Sequence, residues 1–219
     1  MKTSAWLLCA LPAVLLSGAG AESIAPGRAA DYLPRYDIVW RTPSHDSSAS
    51  MPLGGGDLGV NVWVEGGDLL LYAEEGGAFD KNGECLKLGR FRLTLDPNPF
   101  VGGAFRQELD VREACIRVTG ENAAAGRVTA KLWVEGDRSA IHIDVEAERP
   151  IALTAAYESW RYRDVNLAPE ERPATGRRSS IFDFDGYQVN VVKRGDTIEP
   201  GEGSLVWWHD VGREFNAFD

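Results

Sequence analysis

The segment Leu58-Gly-Val-Asn-Val-Trp-Val64 constrains the fold of this chain more than any other. Leu58, Val60, Val62 and Val64 fall on one side of an alternation of period two, and Gly59, Asn61 and Trp63 on the other. A strand with that pattern buries one face in a core and leaves the other free to meet something. Just before it, Gly54, Gly55 and Gly56 permit positive φ and close backbone approach, so a glycine-dense turn is expected to feed the strand.

The same alternation recurs in short runs at 38–40, 58–64, 69–72, 91–95, 114–118, 128–134, 141–145, 151–157, 187–192 and 204–208. Turn signals separate them: Glu65-Gly-Gly-Asp68, Asp96-Pro-Asn-Pro99, Gly120-Glu-Asn122, Glu135-Gly-Asp137 and Arg194-Gly-Asp196. Many short strands and no long helical pattern predict an all-β chain, an antiparallel β-sandwich. Phe91, Leu93 and Leu95 are expected inside, as are Val128, Ala130, Leu132 and Val134, and Ile141, Ile143 and Val145. Trp63 and Trp133 fall on the polar faces, where a tryptophan either packs under a neighbouring strand or loop or meets a partner domain or sugar ring. Residues 163–180, with Pro169, Pro173 and Gly176, read as a mobile surface loop between strands.

The first residues carry the marks of export. Lys2 precedes an apolar run over 5–16, and Ala19-Gly-Ala21 is an A-x-A cleavage pattern, so residues 1–21 are expected to leave as a signal peptide cut after Ala21. Residues 22–35 then form a flexible lead-in, and 36–219 the domain. No later run approaches the roughly 20 apolar residues of a membrane helix, so a soluble periplasmic or secreted protein with no membrane partner is expected. The mature chain keeps 33 acidic residues against 22 basic ones, a charge that repels nucleic acid. Cys85 and Cys115 remain in an oxidising compartment, where they either form a disulfide or stay as separate thiols.

Few residues read as chemistry. Ser44-His45-Asp46 are consecutive, so their side chains diverge and cannot form a catalytic relay; they read as a polar loop or a capped turn. Asp80-Lys-Asn-Gly-Glu84 and Asp183-Phe-Asp-Gly186 place carboxylates on alternate residues, yet neither holds a full calcium ligand set, and both read more simply as hairpin turns. No metal site, no cofactor and no catalytic residue is assigned.

Several segments occur in an order that resembles a known family. Tyr36-Asp-Ile-Val-Trp-Arg-Thr-Pro-Ser-His-Asp-Ser-Ser-Ala-Ser50 leads into the glycine turn, followed by Leu69-Leu-Leu-Tyr72, Ala78-Phe-Asp-Lys-Asn-Gly83, Leu86-Lys-Leu-Gly-Arg90, Phe105-Arg-Gln107, Glu158-Ser-Trp-Arg161 and Val206-Trp-Trp-His209. That order resembles the DUF5703 domain of secreted bacterial proteins, which is similar in turn to the N-terminal β-sandwich of α-L-fucosidase-like glycoside hydrolases with an (α/α)6 barrel. The resemblance departs at Gly55, Phe79 and Asp210, where Asn, Trp and a basic residue are more usual.

The resemblance implies a supersandwich-like, non-catalytic domain that braces a barrel and shapes its cleft, with a C-terminal (α/α)6 domain as partner and this chain as a fragment. Trp40, His45 and Asp46, in the matching loop before the glycine turn, are then the residues expected to touch carbohydrate. Two other readings stay open. One is a stand-alone carbohydrate-binding module stacking a sugar on Trp40, Trp63, Trp133 or Trp160; the other is a structural or interaction domain without sugar binding.

Overall fold

The computed structural model describes residues 31–79, 85–166 and 192–210. Its strands, in chain order, are β1 (Ile38–Trp40), β2 (Met51–Gly55), β3 (Leu58–Glu65), β4 (Asp68–Phe79), β5 (Cys85–Asp96), β6 (Ala104–Asp110), β7 (Cys115–Asn122), β8 (Gly126–Val134), β9 (Ile141–Ala147), β10 (Ala152–Glu158), β11 (Val165–Asn166), β12 (Val192–Lys193), β13 (Thr197–Gly201) and β14 (Ser204–Trp208). The chain is all-β, and every strand pairing is antiparallel. One five-stranded sheet runs β1-β6-β7-β8-β9 and a second runs β10-β5-β4-β3-β2, with β11-β12 and β13-β14 as separate two-stranded ribbons.

Inward side chains of both large sheets meet in one core. Val60, Val62, Val64, Leu69, Leu71 and Leu95 come from the second sheet, and Ile116, Val118, Val128, Ala130 and Leu132 from the first. The alternation therefore places the core side of β3, β5 and β8 as the sequence predicts. A polar tie crosses the core: the buried Gln107 on β6 donates from Nε2 to the Val62 carbonyl on β3 at 3.0 Å.

The glycine run does more than turn. Met51–Gly55 is itself a strand, paired with β3 from Met51↔Val62 to Gly55↔Leu58, where the sequence suggested only a turn. Met51 and Leu53 carry its apolar face into the core, a short alternation that Pro52 and the glycines mask in the sequence. Gly56 turns the hairpin at φ 56°, and a Cβ on Gly55 would lie 2.8 Å from the Val134 carbonyl oxygen. Gly55 is thus where the hairpin presses on the backbone at the end of β8.

Other differences follow similar lines. Gly120-Glu-Asn122 lies within β7 and not in a turn; the reversal comes after it, with Asn122 Oδ1 accepting from the Ala124 and Ala125 amides. β6 and β13 lacked a clear alternating signal. Of the run 187–192 only Val192 is described, and of 163–180 the described part includes β11, a short strand paired with β12. Asp80–Glu84, Asp183–Gly186 and the cleavage position Ala21 lie outside the described residues.

Candidate functional site

The outer face of the second sheet is ordered in rows by strand register. One row runs Gly54, Gly59, Glu74, Lys87; the next runs Pro52, Asn61, Tyr72, Arg90, Glu158; the next holds Trp63, Leu70 and Arg92. Gly54 and Gly59 have no side chains, so the first row is low on the β2–β3 side and walled by Glu74 and Lys87 on the other. A register shift after Ala73 brings Glu74 opposite Lys87. The result is an open groove of about 420 Å³, with Gly59 and Asn61 in its lining together with Asp57, Tyr72, Glu74 and Lys87. A Cβ built on Gly59 meets nothing within 4 Å.

At its other end the same face is closed. Trp63 is 0% exposed, with its ring 4.6 Å from that of Tyr72 and its Nε1 donating to Glu65 at 2.9 Å. Of the readings open to it, packing inside the protein is the one it adopts, and it offers no face to a sugar. Trp160 stands 5.3 Å from Tyr72 on the other side and is 49% exposed. Lys87 Nζ lies 5.3 Å from the Tyr72 ring centre. Tyr72 is thereby held among three neighbours, and Trp160 presents the free aromatic surface beside the groove.

Two polar clusters fix this arrangement. Glu158 accepts from Arg90 and, at 2.7 Å, from Arg92; Arg92 also reaches Asp68, which accepts from Thr94 at 2.8 Å. Hydrogen bonding to Arg92 holds the Glu158 carboxyl below its usual range. Next to it, the wholly buried Asp196 carboxylate accepts from Arg161 Nε at 2.9 Å and from Ser159 Oγ at 3.2 Å, and sits 3.0 Å from His209 Nδ1. Arg161 Nη1 donates to the Lys87 carbonyl at 2.8 Å. Glu158-Ser-Trp-Arg161 and the end of Val206-Trp-Trp-His209 are thus joined through one buried carboxylate, and Trp160 is gripped on both sides.

The sequence-designated residues lie elsewhere. Trp40, on β1 of the first sheet, packs against the core. The His45 side chain is fully exposed, 3.6 Å from Asp46. Asp46 caps the short 3-10 turn Ser47–Ala49 by accepting from the Ser48 amide at 2.8 Å; hydrogen bonding from the Ser48 side chain, and after it from this amide, holds the carboxyl below its usual range. None of the three lines the groove. The signal for the groove was present in the free face of β3, with Gly59 and Asn61, but Tyr72, Glu74 and Lys87 join them only through pairing of distant segments.

Cys85 and Cys115 are two free thiols, on β5 of the second sheet and β7 of the first. Cys85 Sγ donates to Glu74 at 3.0 Å, and this carboxylate pushes the thiol pKa up; burial does the same for Cys115. Trp133 stacks on His142 at 4.8 Å on the outer face of the first sheet. Among the described residues no group of three or more His, Cys, Asp or Glu side chains is placed to hold a metal ion, and no helix is long and apolar enough to cross a membrane.

These features define an all-β domain of two antiparallel sheets with a mixed polar and aromatic groove on one outer face. The chain belongs to the family described as a domain of unknown function (DUF5703), whose profile matches residues 39–219. No curated protein matches the chain.

Proposed function

We propose that this chain is the non-catalytic N-terminal β-sandwich domain, of supersandwich type, of an exported carbohydrate-active enzyme of the glycoside hydrolase kind. In this reading residues 1–21 direct export to the periplasm or medium. The general acid and base carboxyls reside on an (α/α)6 barrel outside this chain, and the sandwich braces that barrel and shapes one wall of its cleft.

The observation that supports it most is the two-sided ribbon β13–β14. Its inner side closes the core end: Trp207 stacks on Tyr157 at 4.3 Å and donates to the Leu88 carbonyl at 3.1 Å. Its outer side leaves Val206 55% and Trp208 43% exposed. Apolar side chains clustered in water in this way suit a surface meant for another domain. A stand-alone carbohydrate-binding module is the second reading, favoured by the groove beside Trp160.

The test is to read the source DNA beyond the codon for Asp219 and express the longer product beside this chain. A downstream helical barrel, with hydrolysis of an aryl α-L-fucoside by the long product and none by this chain, is the expected result. A stop codon at that point, or hydrolysis by this chain alone, would overturn the reading.

A further inference from the structure

We infer that the groove lined by Gly59, Asn61, Tyr72, Glu74 and Lys87, with Trp160 at its rim, is a binding site for a neutral saccharide. The inference rests on the carbohydrate reading above for the class of ligand, and on the geometry for the place.

A volume of about 420 Å³ is in the range of small-molecule sites, and the groove is open enough to admit a ring at the end of a longer glycan. Its polar groups are varied: Glu74 accepts, Lys87 donates and the Asn61 amide does both. Among the described residues no hydrogen bond or ion pair engages the Asn61 amide, the Tyr72 hydroxyl or the Lys87 ammonium. Sugar hydroxyls, each donor and acceptor at once, match such a set.

The exposed ring of Trp160 supplies the flat apolar surface on which the C–H face of a pyranose packs. An anionic ligand would face Asp57 and Glu74 against Lys87 alone, and an apolar one would strand all the polar groups. The rim is also built before any ligand arrives. Asp196 binds Ser159 and Arg161 on both sides of Trp160, and Tyr72 is wedged by Trp63. Such preorganisation lowers the ordering cost of binding.

Titration of the 15N-labelled chain with L-fucose, D-galactose, D-glucose and their methyl glycosides tests the site, with inorganic phosphate as the ionic control. Saturable shifts at the Gly59 amide, the Asn61 side chain and the Trp160 indole are expected with at least one sugar and none with phosphate. Gly59→Leu, which fills the groove, should abolish them, and Asn61→Ala should weaken binding about tenfold.

No shift with any sugar, shifts with phosphate alone, or sugar binding unchanged in Gly59→Leu would each overturn the inference. If no sugar binds while the longer product hydrolyses glycosides, the groove is rejected and the enzyme reading stands. If sugar binds in the groove and no barrel exists downstream, the site stands and the enzyme reading is rejected.

Discussion

The two ends of the outer face of β3 make opposite use of one alternation. At one end Trp63 is sealed under Tyr72 and bonded to Glu65; two and four residues earlier, Asn61 and Gly59 stand open in the groove. All three occupy the same face of one strand, so position in the pattern does not separate them. The strand opposite does: Trp63 pairs with Leu70, whereas Asn61 pairs with Tyr72 and Gly59 with Glu74. A large apolar side chain is sealed where its cross-strand neighbour is also apolar, and an absent side chain leaves a hollow where its neighbours are polar.

The largest effect should come from breaking the sealed end. Trp63→Ala is expected to destabilise the domain by about 3–5 kcal/mol in denaturant melts, since it empties a fully buried site. A loss below about 1 kcal/mol would mean that the ring is not packed as described.

Next comes the glycine that looks most like the open one. Gly55→Ala drives a Cβ against the Val134 and Glu135 carbonyl oxygens and should cost about 1–3 kcal/mol. A melt equal to wild type would show that the hairpin does not press on β8.

Charge supports the middle of the face more weakly. The Glu158 carboxyl is held below its usual range, so its contribution to stability is present above pH about 4.5 and is lost as pH falls through the depressed native value. Glu158→Gln should therefore lower Tm at pH 7, by the equivalent of about 1 kcal/mol or less, and the gap to wild type should close in more acidic solution. A gap that widens in acid would contradict the ion pairing with Arg90 and Arg92.

The smallest effect is expected at the open end: Gly59→Ala should change stability by no more than about 0.5 kcal/mol, because the added methyl meets only solvent.

Much of the core was legible because period-two alternation reports burial directly, as in Val60, Val62 and Val64 or Val128, Ala130 and Leu132. The groove was legible only in part. Gly59 and Asn61 were visible as a free face, but the approach of Tyr72, Glu74 and Lys87 depends on register and on the shift after Ala73. The role of Asp196 was hidden for a similar reason. It lies in a turn signal, Arg194-Gly-Asp196, and only the folded chain brings Arg161 and His209 to it. Asp46 shows the opposite relation: an acidic residue just before a short turn satisfies the Ser48 amide, a local role that its position in the sequence alone makes legible.

The most direct test pairs a thermal melt with a saccharide titration of Gly59→Leu. A Tm within about a degree of wild type together with loss of the sugar-induced shifts is expected, because the open end serves binding and not folding. A lowered Tm with sugar binding intact would contradict it, placing Gly59 in the structural frame and the ligand site elsewhere.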